Sequence, residues 1–205
     1  MFYRPEDGHG LPHNPFNALI VPRPIAWIST RDGTGVRNLA PYSFFNGVAY
    51  SPPQVMFASA SATVGQSDAK DTLANIRETG VFCVNLVAEA MREAMNATSA
   101  ALPRHVDEFA QAGLTALPCT TIDCPRIAAV PASLECRMRQ IVPLEGMGNF
   151  ITIGEVVGIH LCDAYISEGK FDVARFRPLS RLGYRDYSVV ESVFAMERPD
   201  ARPSK

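Results

Sequence analysis

The sequence predicts a mostly β domain: a small barrel, closed or split, built of antiparallel strands with helices inserted between them. Three observations lead there. From Ser133 to Ile141 the residues alternate with a period of two, setting Leu134, Cys136 and Met138 on one face and Glu135, Arg137 and Arg139 on the other. Short apolar runs are bounded by turn residues, among them Asp32-Gly33, Pro52-Pro53 and Glu145-Gly146-Met147-Gly148-Asn149. The helical patterns are short and fall between the strand patterns.

Residues 1–16 read as an extended arm, because prolines and glycines there oppose any regular element. Such an arm either packs across a partner subunit or stays loose. The main domain is expected over 17–195, with a flexible tail at 196–205. From Ala18 the pattern is mostly strand. Ile25 and Trp27 alternate with Ala26 and Ile28, and Asp32-Gly33 with Gly35 turns the chain back. The return strand is expected to break into a polar, Pro-interrupted loop between Asn38 and Asn46. Val55–Ser59 reads as a short strand. Asp71–Thr79 reads as a helix, with Asp71 as N-cap, Gly80 as the C′ glycine, and Leu73 and Ile76 on one face. A buried strand follows over Val81–Val87. Glu89–Asn96 is expected to be helical with Met91 and Met95 inward, and Val106–Ala112 is a short helix closed by Gly113. After the alternating strand, Glu145–Asn149 turns the chain into a long strand, Phe150–Leu161. Ile151, Ile153, Val157, Ile159 and Leu161 are assigned to one of its faces, and Thr152, Gly154, Val156 and His160 to the other.

Composition excludes several functions. The chain has 205 residues, 47% apolar and 20% charged, as expected of one globular domain with a sizeable core. A net charge of −2 with scattered arginines gives no field for a nucleic-acid backbone. No apolar run is long enough for a membrane span, and the polar N-terminus lacks the apolar stretch of a secretory signal, so the expected location is the cytoplasm. The five cysteines, Cys83, Cys119, Cys124, Cys136 and Cys162, are odd in number and widely spaced, which favours reduced thiols. Cys119 and Cys124 are the one close pair, with a disulfide between them as the alternative. No histidine nearby in sequence completes a zinc site.

The chemistry concentrates in two segments. Between Asn38 and Asn46 lie amides, hydroxyls and aromatics without a charged side chain. A flat aromatic cofactor with a polar rim needs that mixture of apolar surface and neutral donors and acceptors. Lys70-Asp71-Thr72 opens a helix, where unpaired backbone N–H groups, an ammonium and a hydroxyl together suit a phosphate. Ser59, Ser61 and Thr63 stand just upstream as further hydroxyls. The competing reading of Lys70 is a solvated lysine at an ordinary helix start. Trp27, the one tryptophan, is either core or cofactor wall. His160 reads as structural, and His9, His13 and His105 have no metal-ligand neighbours.

Three ordered motifs carry a family resemblance. They are Pro22-Arg23-Pro24-Ile25-Ala26-Trp27-Ile28-Ser29-Thr30 continuing to Asn38-Leu39-Ala40-Pro41-Tyr42-Ser43-Phe44-Phe45-Asn46, then Lys70-Asp71-Thr72-Leu73-Ala74-Asn75-Ile76, then Pro178-Leu179-Ser180-Arg181-Leu182-Gly183-Tyr184 with Tyr187. Together they resemble the flavin reductase-like family of FMN-binding split barrels, over about residues 17–190. The Ala-Pro-Tyr-Ser version of the second segment is more like the flavoredoxin branch. The resemblance implies a homodimer holding FMN non-covalently near the subunit interface. It implies that Asn38, Ala40, Pro41, Tyr42, Ser43 and Asn46 line the flavin, with Trp27 near them. Lys70, Asp71, Thr72 and Ser59 would serve the phosphate, and Arg181 and Tyr187 would return to the cofactor. The implied reaction is hydride transfer from NADH or NADPH to flavin, with a monooxygenase or another electron-acceptor protein as partner. The alternatives are an FMN electron carrier without direct NAD(P)H oxidation, and a flavin-free structural relative.

Overall fold

The computed structural model describes residues 1–60 and 70–199. The candidate hydroxyls of Ser61 and Thr63 lie outside the described residues, as does the tail from 200. The arm holds a single 3₁₀ turn, Pro5–Asp7, and is otherwise irregular up to a helical turn α1, Phe16–Leu19. Ala18 therefore sits in a helical turn, and strand structure begins only at β1, Arg23–Pro24.

Seven strands form one antiparallel sheet. They are β2 (Ala26–Arg31), β3 (Arg37–Tyr42), β4 (Phe45–Tyr50), β5 (Pro53–Ser59), β6 (Val81–Leu86), β9 (Ala132–Pro143) and β10 (Phe150–Leu161), in the order β3-β2-β6-β9-β10-β5-β4. The sheet curls until β3 meets β5, giving a split barrel. Between β6 and β9 a covering hairpin pairs β7 (Ala116–Pro118) with β8 (Pro125–Ile127). Past β10 come the short pair β11 (Ile166–Ser167) and β12 (Lys170–Phe171), then β13 (Leu179–Arg181) and β14 (Tyr187–Val189), which join β1 in a three-stranded sheet. The helices are α2 (Asp71–Thr79), α3 (Arg92–Ala97, entered through a 3₁₀ turn at Glu89–Met91), α4 (Glu108–Gln111) and α5 (Val173–Phe176).

The alternation of β2 explains the two main cores. Ala26 and Ile28 face a cluster with Tyr42, Val55, Phe57, Ile76, Phe82, Val84 and Cys136. Ile25 and Trp27 face the other side, with Leu39, Val87, Met95, Phe109, Ile127 and Leu179. Tyr42, Phe57 and Phe82 pack in sequence, tilted and then edge-to-face, with ring centroids 4.9 and 5.5 Å apart. Gly154 makes that packing possible: a Cβ at its position would stand 2.4 Å from Phe82 Cζ.

Four expectations need correction. Asn38–Tyr42 is not a loop but most of β3, paired in register with β2 (Trp27 opposite Pro41, Ala26 opposite Tyr42). Pro41 is tolerated because β3 is the sheet's edge strand. Helix α2 has the expected bounds and a left-handed Gly80, but its N-cap is Lys70, with no side-chain cap; Asp71 lies inside the first turn. Glu135, read as half-exposed, is fully buried beneath the 119–124 loop. Finally, β10 carries irregularities between Ile153 and Gly154 and between Val156 and Gly158. The second reverses the side-chain alternation, so His160 faces Glu135 while Gly154 and Val156 face the Phe82 core. All five cysteines are free thiols.

Candidate active site

Two cavities open on the side of the sheet where β3, α2 and α3 converge, and they share Pro41 and Ser99 as walls. The smaller, about 320 Å³, runs along Asn38, Ala40 and Tyr42 to Lys70, Asp71 and Thr72, and is closed by the 98–102 segment and Glu108. The larger, about 640 Å³, lies between Ser43, the α3 residues Arg92, Met95 and Asn96, and the β13–β14 hairpin with Arg181, Arg185 and Tyr187. Each has the size of a small-molecule site, and the two adjoin at Pro41 and Ser99 in one cleft region.

The floor of the smaller cavity is set by buried hydrogen bonds. Asn38 Nδ2 donates to Thr72 Oγ1 at 3.2 Å, joining β3 to the first turn of α2. Asn75 Nδ2 donates to Thr30 Oγ1 at 3.0 Å one turn later, so α2 is fixed against β2 as well. Tyr42 is buried beside Thr72, and burial pushes its phenol up to about 12, so it is a neutral donor at any working pH. Helix α2 thereby presents its first turn to the cavity, where amides without intrahelical partners and the positive end of the dipole favour an anion. Lys70 makes no ion pair with any described residue; its ammonium stands 5.6 Å from the centre of the Tyr42 ring, and desolvation lowers its pKa.

The acidic margin is managed. Asp71 pairs with Arg104 at 3.3 Å, and Arg104 also donates to Asn75 Oδ1 at 2.9 Å. Glu108 accepts the Leu39 amide at 3.1 Å; burial raises its pKa against that bond, and the charges of Asp71 and Asp107 raise it further.

The larger cavity carries Arg92, Arg181 and Arg185, the first paired with Glu93 of the same wall at 3.3 Å, and the Tyr187 ring. Arg181 lies 4.5 Å over the Tyr187 ring, and its guanidinium donates to the Tyr184 carbonyl at 2.6 Å. Arg23 explains why this hairpin sits where it does. Its buried guanidinium donates to the carbonyls of Asn17 and Ile20 at 2.5 Å each, and to Leu182 at 2.8 Å. The Pro22-Arg23-Pro24 motif thus clamps the N-terminal segment and the Arg181 hairpin together.

The cleft brings together Asn38, Ala40, Pro41, Tyr42, Ser43, Lys70, Asp71, Thr72, Arg181 and Tyr187. Three other candidates stand outside its walls. Trp27 is wholly buried and reaches the site only through Thr98, whose Oγ1 accepts the indole N–H at 2.8 Å. Asn46 is exposed on β4, and Ser59 is buried at the end of β5. Sequence reasoning overlooked Arg92, Arg185, Thr98, Ser99 and Glu108. The hydroxyl pair Thr98-Ser99 directly after an amphipathic helix was the available signal; nothing local marks Glu108, which tertiary packing delivers.

Residues 18–179 match the family model described as the flavin reductase like domain. The structure of 2-nitrobenzoate 2-nitroreductase from Pseudomonas fluorescens is 31% identical, with a TM-score of 0.80 over 92% of this chain and 91% of that one. Nitrilotriacetate monooxygenase component B from Bacillus cereus is 29% identical, with a TM-score of 0.82 over 92% of this chain and 100% of that one. The flavoredoxin of Desulfovibrio vulgaris (Miyazaki F) shares the fold at 20% identity, with a TM-score of 0.76 over 89% and 93% of the two chains.

Proposed function

The chain belongs to the flavin reductase-like family, and from that premise we propose that it binds FMN and acts as an NAD(P)H-dependent oxidoreductase. One observation carries the cofactor assignment: an ammonium without a carboxylate partner among the described residues stands at the start of α2, at the end of a cleft whose β3 wall is uncharged from Asn38 to Tyr42. Lys70 and the α2 first turn would hold the phosphate, with Thr72 beneath them. Pro41, shared by the two cavities, and Ser43, in the wall of the larger one, would lie along the ring. Bound FMN supplies the hydride-accepting chemistry, for which no side chain here is suited. The residues of the chain bind, orient and neutralise. Arg181 and Arg185 give the larger cavity positive charge for the pyrophosphate of a dinucleotide donor, Arg92 being paired with Glu93 at 3.3 Å, and Tyr187 gives it an aromatic face.

The remaining expectations belong to the same reading. A monooxygenase component as electron acceptor is supported by the likeness to nitrilotriacetate monooxygenase component B. A homodimer is supported by a strip of exposed apolar side chains on β4 and β10, with Val48 52%, Tyr50 95% and Ile159 58% exposed, which a second copy would cover.

The test is the visible spectrum of the purified protein with FMN, before and after anaerobic NADH and NADPH. A flavin band that bleaches with either nucleotide is expected. A band that stays oxidised with both identifies an electron carrier instead, and a protein that retains no FMN overturns the reading altogether.

A further inference from the structure

On the face of the sheet away from the Phe82 core, three of the five cysteines converge. Cys83 on β6 and Cys124, just before β8, belong to one buried cluster with Ile122, and Cys119, just after β7, packs against it. Cys119 and Cys124 face each other across the hairpin, the Cys119 N–H donating to the Cys124 carbonyl at 2.9 Å. Cys83 and Cys124 are buried, whereas Cys119 is partly open to solvent. Residues 119–124 are held in place from below. Glu135 accepts the amides of Thr120 and Thr121 at 2.6 Å each and the Thr121 hydroxyl at 2.5 Å. Arg31 grips the Asp123 carboxylate, and Ser29 Oγ donates to the Pro125 carbonyl at 2.6 Å. The loop is therefore held on several sides, with Cys119 partly exposed at its base and the buried Cys83 and Cys124 packed beside it.

We propose that Cys119 and Cys124 form a peroxide-reactive dithiol, with Cys119 as the attacking thiolate and Cys124 as the resolving thiol. The Cys119 thiolate attacks one oxygen of hydrogen peroxide; the O–O bond breaks, hydroxide leaves, and Cys119 becomes a sulfenic acid. The Cys124 thiol then gives its proton to that hydroxide and attacks the Cys119 sulfur. The S–O bond breaks, and the departing hydroxide takes a proton from solvent. Two thiols are oxidised by two electrons, one peroxide is reduced, and two waters result. Cys83 takes no covalent part, because it lies in a central strand with no solvent access.

The electrostatics agree with the order of events. Contacts with the neighbouring Cys124 and Cys83 thiols pull the Cys119 pKa down to about 5, while Cys124 Sγ also donates to the Ser29 carbonyl at 3.2 Å. Desolvation and Glu135 oppose them, and His160 assists. The same contacts push Cys124 and Cys83 well above the usual thiol range, burial being the larger cause for both. One sulfur is thus ionised while its partner keeps the proton it must later release. The inference does not depend on flavin binding.

The test uses the full chain, reduced and freed of reductant, with one equivalent of hydrogen peroxide at about pH 5.5. There an ordinary thiol is only about one part in a thousand thiolate. A low-pKa thiolate is intrinsically the weaker nucleophile, which returns part of the advantage and leaves about a tenfold faster reaction. Peptide mapping after acid quench and alkylation is expected to find a Cys119–Cys124 disulfide, with Cys119 consumed about tenfold faster than the exposed Cys162. Cys124→Ser is expected to halt at a Cys119 sulfenic acid that dimedone traps. Cys119→Ser should leave Cys124 reduced. Consumption of Cys119 no faster than Cys162, a disulfide to Cys83, or unchanged disulfide formation in Cys119→Ser would each overturn the assignment.

Discussion

Lys70 is the residue at which the cofactor proposal is most exposed to test. Its neighbour Asp71 is neutralised by Arg104, so removing the ammonium deletes a charge that nothing adjacent duplicates among the described residues. A charge-assisted contact to a phosphate is worth about 1.5–3 kcal/mol, or about 10- to 150-fold in affinity. Lys70→Ala is therefore expected to weaken FMN binding by that factor. Riboflavin, which has the ring without the phosphate, should lose less than about twofold. Fluorescence titration with both ligands separates the two effects, and equal losses would remove Lys70 from the phosphate site. The same logic separates Lys70 from Tyr42 and Thr72. Thr72 is buried and bonded to Asn38, and Tyr42 is buried against Phe57, so replacing either disturbs the wall for both ligands.

Among the strands, β6 depends most on one polar side chain. Asn85 is fully buried and uses both ends of its amide. Its Nδ2 donates to the Trp27 carbonyl and Ser29 Oγ, and its Oδ1 accepts the Ile127 amide and the Ser133 hydroxyl, each at 3.0 Å. One residue thus joins β2, β8 and β9 to β6. Asn85→Ala leaves several buried groups unpaired and is expected to lower unfolding stability by about 2–4 kcal/mol, with no rescue by the larger apolar Leu. Urea denaturation measures this; a loss below about 1 kcal/mol would show that water replaces the amide. Period-two alternation found β9 and β10, and a continuous apolar run found β6, all with nearly correct ends. Neither found Asn85's role, since one polar residue in an apolar run carries no partner information. The same gap explains His160: alternation alone places it with Gly154, and only the irregularity after Val156 turns it toward Glu135. Likewise, Asn38–Tyr42 reads as a loop because Pro41 interrupts it, and its edge position, a property of the finished sheet, makes it a strand. Helix α2 was legible because its punctuation is local, whereas Arg92 and Arg185 come to line one cavity only after the chain has folded.

At the scale of the whole molecule, acid sensitivity is expected to centre on Glu135, which lies where the barrel, the covering hairpin and the end of β10 meet. Burial opposes its charge. The Thr120 and Thr121 amides, the Thr121 hydroxyl and His160, whose Nε2 stands 2.5 Å away, overcome that penalty and hold the carboxyl down to about 2. A glutamate in the unfolded chain titrates near 4.5. Below that value the unfolded state binds the proton first, so folding stability falls as pH drops from about 5 towards about 2 and is fully present above about 5. The difference corresponds to about 3 kcal/mol at neutral pH. Glu135→Gln keeps the shape but removes both the charge and one acceptor oxygen. It is expected to lower stability at about pH 7 and to flatten the dependence between about pH 5 and about pH 3. Urea midpoints for both proteins across that range provide the check, and parallel curves would assign the acid sensitivity to other carboxylates. Because Glu135 also fixes the loop carrying Cys119, the variant should loosen that hairpin before the barrel itself unfolds. Hydrogen exchange at the Thr120 and Thr121 amides, faster in Glu135→Gln while the β6 and β9 amides stay protected, would separate local opening of the hairpin from global unfolding.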